Sequence, residues 1–188
     1  IQDNIINELF DKLVRDANYL KRKNEIRKFN IKNKIKKKGI AITPVKFGIS
    51  FTTIHLNQAG ALVHLYTDGS VYLNHGGIEM GQGTHTKIAQ VVANSLGLPY
   101  ERVKISSTNT TKVPNTSASA ASSTTDLNAA AALNATTKIK KNLEKFIKDK
   151  YKIFSKEEPI YKNESIIFGN RYFEFKKIVM EAYLNRVS

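Results

Sequence analysis

Cysteine is absent from the 188 residues. That removes any disulfide framework, thiolate zinc site, cysteine-ligated iron–sulfur cluster or nucleophilic thiol from this chain. Long apolar runs are missing too: no stretch approaches the roughly 20 residues that span a bilayer. The first residues alternate charged and apolar side chains instead of showing a basic start, an apolar stretch and a small-residue cleavage site. The expectation is a cytoplasmic chain with no membrane contact. The four histidines, His55, His64, His75 and His85, lack paired metal-ligand spacing and read as structural or solvent-facing. There is no internal repeat. What remains is one domain's worth of chain, too short for a multidomain redox enzyme.

The net charge is +14, and its distribution is uneven. Residues 1–40 hold twelve Lys/Arg against five Asp/Glu, residues 136–188 hold thirteen against seven, and residues 59–135 carry four of each. The basic flanks therefore enclose a neutral centre. The run Lys32 to Lys38 has no interleaved aromatics to stack bases, so it reads as a solvated tether or helix end, and no nucleic-acid partner is expected. The chain opens without methionine at Ile1-Gln2-Asp3 and stops at Arg186-Val187-Ser188 directly after a helical pattern. The expectation is a piece of something longer.

Apolar spacing supplies the elements. Ile5, Ile6, Leu9, Leu13, Ala17 and Leu20 recur every three or four residues, predicting an amphipathic helix with Asp3 as its cap. Ile40–Ile42, Phe47–Phe51 and Ala61–Tyr66 have strand character. An Asp68-Gly69 turn then leads into Val71-Tyr72-Leu73, predicting a hairpin. Ile88, Val91, Val92 and Leu96 share a helical face that Gly97 and Pro99 terminate. Val103–Ile105 reads as a strand. A long helix is predicted from about Asp126, lined or capped by Asp126 or a hydroxyl before it. Ser165–Phe168, a Gly169-Asn170 turn and Tyr172–Phe175 read as a second hairpin, and a last helix begins near Lys176. The fold class is α+β, a mixed sheet with hairpins packed by two or three long helices. A helical, basic linker region, 1–38, precedes a domain at 39–188.

Two segments carry chemistry. His75-Gly76-Gly77-Ile78-Glu79-Met80-Gly81-Gln82-Gly83-Thr84-His85-Thr86-Lys87 is a glycine-rich loop opening into a helix, which brings backbone close to a ligand and aims free N–H groups at an anion. On the residues alone it reads equally as a tight turn. Val113-Pro114-Asn115-Thr116-Ser117-Ala118-Ser119-Ala120-Ala121-Ser122-Ser123-Thr124-Thr125-Asp126-Leu127-Asn128 offers small hydroxyl side chains next to a helix start, suited to phosphate or pterin oxygens. On composition alone a flexible linker fits as well.

Taken together, and with Arg22–Asn30, Pro44–Phe51, Leu56–Ala61, Tyr66–Ser70 and Val179–Tyr183, these segments resemble the molybdopterin-binding region of the xanthine dehydrogenase and aldehyde oxidase family. The resemblance runs along nearly the whole chain and leans to the xanthine dehydrogenase side. It departs at Ala129, where the family often has glycine, and at Ser119, where close relatives often have threonine. It implies a molybdenum–molybdopterin cofactor held by Met80, Gly81, Gln82, Ser119, Ala120, Ala121, Ser122, Thr124 and Thr125. Ala121 would lie nearest the metal, and the Gln82 amide would approach the molybdenum-bearing end. Phe51 would pack on the substrate ring and Thr52 would hydrogen-bond it.

The resemblance also implies what the chain lacks. The catalytic base glutamate, the 2Fe-2S clusters and FAD would come from remaining domains of a parent enzyme, and Glu79 matches no catalytic carboxylate. The implied parent is a homodimeric hydroxylase of purines, converting hypoxanthine and xanthine to urate, and the chain alone would be inactive. An aldehyde oxidase fragment, or a structural descendant without cofactor, is the alternative.

Overall fold

The structure, a computed structural model, describes residues 4–45, 48–49, 52–113, 116–154 and 158–187. The chain divides into two compact units, Ile1–Phe47 and Gly48–Ser188.

In the first unit, the periodic stretch is two helices, α1 (Ile6–Asp16) and α2 (Tyr19–Lys32). The expected continuous pattern breaks at Asn18, whose φ of +48° is left-handed, a conformation asparagine tolerates better than most residues. Asp3, the expected cap, lies outside the described residues. Neither helix has a buried residue, and Ile5, Leu9 and Leu13 are all exposed. The lysine-rich run is tied down instead of forming a free tether. Asn30 Nδ2 donates to Lys38 O at 2.9 Å and Asn30 Oδ1 accepts from Lys38 N–H at 2.8 Å. The Lys38 ammonium also lies 4.2 Å from the Phe29 ring centroid. Ile40–Ile42, expected as a strand, belongs to no regular element. Within the described residues of this unit it has no neighbouring strand to pair with.

The second unit begins with the predicted hairpin. Strands β1 (Ala61–Leu65) and β2 (Val71–His75) pair antiparallel, with Ala61 opposite His75 and Leu65 opposite Val71. Asp68 Oδ1 accepts from Ser70 N–H at 2.9 Å, and Gly69 supplies a φ of +81°, which is the turn chemistry the Asp-Gly pair announces. The chain then crosses over through α3 (Thr84–Leu96) to β3 (Val103–Ile105), which pairs parallel to β2. This three-stranded sheet is mixed, in the order β1-β2-β3. The central strand is the most deeply covered, with Val71, Leu73, Asn74 and His75 all buried.

Helix α4 (Thr124–Tyr151) packs on α3 and β1 through a stripe of Asn128, Ala132, Thr136, Leu143 and Ile147. A second sheet, fully antiparallel, follows: β4 (Ile160–Lys162), β5 (Ser165–Phe168) and β6 (Arg171–Glu174). Helix α5 (Phe175–Leu184) closes the described chain. Sequence periodicity had found the β5–β6 hairpin but not β4, whose three residues are too few to show a period. The single expected sheet is thus two small ones, and the α+β class stands. No helix among the described residues is long and apolar enough to cross a membrane.

The core lies where α3 meets both sheets and α4: Leu73, Ile88, Val92, Leu96, Ile147, Ile166, Phe175 and Ile178 are each 0–1% exposed. Burying each such aliphatic side chain contributes about 1.5–3 kcal/mol. Gly97 ends α3 with a φ of +66°, and Leu98 N–H closes back to Ala93 O at 2.9 Å. A Cβ at Gly97 would meet the backbone of Tyr161 and Lys162 at 2.4 Å. Glycine is therefore required twice there, for conformation and for the approach of β4.

Candidate functional site

The site is built where β2 runs out. Gly77 N–H donates to Nδ1 of the buried His75 at 3.0 Å, so Nδ1 is the unprotonated nitrogen. The Thr108 hydroxyl donates to Gly77 O at 2.7 Å and also reaches His75 O at 3.1 Å. A Cβ on Gly76 would fall 1.9 Å from Thr116 Oγ1, and one on Gly77 would fall 2.8 Å from Thr124 Cγ2. Neither glycine has a positive φ. They are glycines because the second loop passes directly over Gly76 and the first turns of α4 over Gly77.

That second loop, from Ser106 to Ser123, is not a linker. Gln58 and Ser117 exchange two bonds, Gln58 N–H to Ser117 Oγ at 2.8 Å and Ser117 N–H to Gln58 O at 2.9 Å. Ser119 Oγ accepts the Ile78 N–H at 2.7 Å, joining the two chemistry-bearing segments directly. Ala121 and Ser122 both take a φ of +54°. Two successive non-glycine residues in the left-handed region cost roughly 1 kcal/mol or more each and are held by their surroundings. The chain then enters α4 with Ser123 as cap. Ser123 makes no side-chain cap bond, because its hydroxyl donates back to Ala120 O at 3.1 Å. Of the expected capping or lining of this start, the lining holds, with Asp126 in the first turn beside Thr124 and Thr125, while no side-chain cap bond forms and the first N–H groups stay open.

Helix α3 starts differently. The Glu79 carboxylate accepts three backbone N–H bonds, from Gly81 at 2.8 Å, Gly83 at 2.9 Å and His85 at 2.9 Å. Those donors, His85 and Gly83 foremost, hold its carboxyl below the usual carboxylate range. Glu79 is therefore held as an anion at the start of α3. The Gln82 amide closes on its own loop, with Oε1 accepting from Met80 N–H at 2.6 Å and Nε2 donating to Ile78 O at 2.8 Å. Lys87, one turn into α3, donates to Gln82 O at 3.1 Å.

Between the two loops lies a cleft of about 330 Å³. Met80 and Gln82 line it from the first loop, Thr84 and Lys87 from α3, Ser119, Ala120 and Ser122 from the second loop, and Thr124 and Thr125 from α4. Seven of the nine residues expected to hold a cofactor thus face one cavity. Gly81 and Ala121 sit within the same loops but do not line it. Thr52 is exposed and is no part of this wall, and Phe51 lies outside the described residues. A larger depression of about 610 Å³ lies at the C-terminal half of α4, around Lys145, Phe146 and Asp149. It holds no expected residue and no converging loop donors.

The cleft lining has hydroxyls, an amide and one ammonium, with no carboxylate. It can bind and orient an anionic, hydrogen-bonding ligand and, among the described residues, offers no carboxylate or imidazole to act as a general base. Thr84 Oγ1 is buried and unpartnered, as are Nε2 of His75 and of His85 behind it. The two rings meet edge to face at 5.0 Å. Burial, and then the neighbouring His85, lower His75 to about 4. Among the described residues no group of three His, Cys, Asp or Glu could hold a metal.

Sequence reading gave no role to Thr84, Lys87 or Thr108, and weighed Glu79 only as a base. Thr84 and Lys87 were within reach, since positions three apart share a face once the helix start is placed at Thr84. The roles of Glu79 and Thr108 depend on backbone donors and acceptors, which leave no pattern in side-chain chemistry.

Comparison with known proteins gives consistent results. Residues 12–188 match the model of a family described as the molybdopterin cofactor-binding domain. The chain is 53% identical over 141 residues to a xanthine dehydrogenase/oxidase of Rattus norvegicus, covering 75% of this chain and 11% of that protein. It is 48% identical over 187 residues to a xanthine dehydrogenase of Oryza sativa subsp. japonica, covering 100% of this chain and 12% of that one. The chain therefore spans about a tenth of the length of these curated relatives. Two solved structures share the fold: CO dehydrogenase from Oligotropha carboxidovorans, with a TM-score of 0.60 at 22% identity over 66% of this chain and 16% of that one, and quinoline 2-oxidoreductase from Pseudomonas putida 86, with 0.62 at 19% over 68% and 16%. With the family model matching from residue 12 to residue 188, this chain belongs to the molybdopterin cofactor-binding domain family.

Proposed function

We propose that this chain supplies one wall of the cofactor site in a molybdenum hydroxylase acting on purines, with the remaining domains of a parent enzyme supplying the catalytic base, the 2Fe-2S clusters and FAD. One observation carries the reading: residues from two segments about forty positions apart line a single hydroxyl-rich cleft, with one cation, at the open start of α4.

The residues suit the group. Molybdopterin brings a phosphate and a flat, hydrogen-bonding ring system. The phosphate is matched by the uncapped N-terminus of α4 with Thr124 and Thr125, and by the Lys87 ammonium. The buried, unpartnered hydroxyl of Thr84 in the cleft wall is an orphan that a polar ligand would satisfy. Ser119 and Ser122 would meet pterin edges, and Met80 and Gly81 would offer backbone. Ala121, with only a methyl, would leave room beside the metal. Gln82 would exchange the bonds of its amide within the loop for bonds to the cofactor, donating without adding charge. When bound, the cofactor supplies the two-electron redox chemistry; this chain binds, orients and shields it. Phe51 and Thr52 are proposed to contact substrate, and the division of labour between 1–38 and 39–188 is proposed to be linker and cofactor domain.

Purine as substrate rests on the names of the relatives, at about half identity over most of this chain. The test uses the full-length parent protein loaded with cofactor, supplied with xanthine and with an aromatic aldehyde, as wild type and as Gln82→Ala. Xanthine turnover that collapses in the variant is expected. Turnover of the aldehyde alone would move the reading to an aldehyde oxidase, and a wild type that retains no molybdenum would mark a structural descendant.

A further inference from the structure

Glu79, beside the cleft, spends both carboxylate oxygens on the protein's own backbone. Its Oε1 accepts from Gly81 and Gly83 and its Oε2 from His85, so the three donors lie on both sides of Gln82. Packing does not shape this stretch. Among the described residues nothing lies within 4 Å of a Cβ built on Gly81, and only Lys87 Cε, at 3.9 Å, approaches one built on Gly83. Both glycines take left-handed φ values, +98° and +78°, so the backbone there has the widest choice of conformations. Hydrogen bonds alone select one of them. The two bonds of the Gln82 amide end within the same loop, on Met80 and Ile78, and cannot fix the loop against the opposite wall.

There is an electrostatic side as well. Helices α3 and α4 both start at the cleft, at Thr84 and Thr124. The Glu79 carboxylate occupies the start of α3, while the start of α4 carries no side-chain cap and has Asp126 in its first turn but outside the cleft lining. A ligand with one anionic end is thereby directed to α4, and its uncharged end is left to Gln82.

We propose that Glu79 is a positioning residue for the cofactor: it locks the glycine loop that carries Gln82 and, by filling the start of α3, sets which end of the ligand goes to which helix. This rests on the cofactor reading given above. The carboxylate needs both oxygens. In Glu79→Gln the amide offers one acceptor and turns an N–H₂ toward at least one of the three backbone donors.

The experiment compares the cofactor-loaded full-length protein as wild type, Glu79→Gln, Glu79→Asp and Thr124→Val. Molybdenum and pterin per chain, amide hydrogen exchange across residues 78–86, and kcat per bound molybdenum against KM are measured on each. In Glu79→Gln, exchange at Gly81, Gly83 and His85 is expected to accelerate about tenfold or more, the equivalent of losing one charge-assisted bond. The kcat per bound molybdenum should fall while KM holds. Glu79→Asp keeps the charge with a shorter reach and should recover part of both. Unchanged exchange and kcat in Glu79→Gln would overturn the proposal. If Glu79→Gln does not fold, Glu79→Asp decides: folded with intermediate exchange supports positioning, and a second unfolded protein makes the carboxylate a folding group and overturns it. A wild type without molybdenum and pterin, or a Thr124→Val protein that loses none, would count against the cofactor reading itself, whereas loss in Thr124→Val with none of the expected changes in Glu79→Gln removes Glu79 alone.

Discussion

The Ile78 N–H donates to Ser119 Oγ across 2.7 Å, a single bond between residues 41 positions apart that joins the glycine loop to the serine-rich loop. Removing the hydroxyl in Ser119→Ala should cost about 1 kcal/mol in stability. It should reduce molybdenum retention more than that figure suggests, because both walls lose register. Ser119→Thr keeps the hydroxyl and should retain cofactor as wild type does. Urea denaturation and metal analysis of the two variants check this, and equal retention in Ser119→Ala would remove the bond from any functional account.

Gly77 is defined by what passes over it. A methyl there meets Thr124 Cγ2 at 2.8 Å and Asn128 Nδ2 at 3.1 Å. Gly77→Ala should destabilise by about 1–3 kcal/mol. Thr124→Ser, which deletes that Cγ2, should return part of the loss when combined with it, and a double-mutant cycle measures the coupling. Strictly additive effects would mean that the clash is relieved elsewhere.

Buried His75 gives the fold a pH dependence. Its folded value is lowered from 6.5 to about 4, so an unfolded chain binds the proton first. The stabilising contribution is fully present above about pH 6.5 and is lost as pH falls toward 4, with a ceiling of about 3 kcal/mol. The groups facing His75 are His85, which deepens the effect, and Glu79, which opposes it. Urea midpoints at pH 7.0 and 4.5 should separate more in wild type than in His75→Gln. The same separation in both proteins would place the dependence on other groups.

Lys87 is the only cation lining the cleft among the described residues. Lys87→Gln should weaken retention of a phosphate-bearing ligand by about three- to tenfold and flatten its dependence on salt, since an exposed ammonium acts through a screened field. Lys87→Arg should hold closer to wild type. Dialysis of loaded protein against rising salt, followed by metal analysis, separates the two.

Much of this was legible in advance. The β1–β2 hairpin was announced by Asp68-Gly69, α3 by its apolar face and by Gly97, and the last hairpin by Gly169-Asn170. Gathering Gln82 with Ser119 and Thr124 required the family resemblance, because nothing local to either segment specifies the other. What stayed hidden was non-local or made of backbone. Serine and threonine between 106 and 123 look like a linker until Gln58, Gly77 and Ile78 supply their partners. The Asn18 break is invisible to periodicity because the apolar spacing continues across it. Ile40–Ile42 had strand composition and no strand beside it.

Gly97 has a consequence beyond ending a helix. With no side chain there, β4 lies against the end of α3, Gly97 O takes the Glu164 N–H at 2.8 Å, and the Tyr161 hydroxyl reaches Lys140 O on α4. The small C-terminal sheet thus acts as a brace behind both helices whose opposite ends frame the cleft. Substitutions at Gly97 or Tyr161 would then appear in a genetic screen as cofactor-loss alleles, although neither residue lines the cleft.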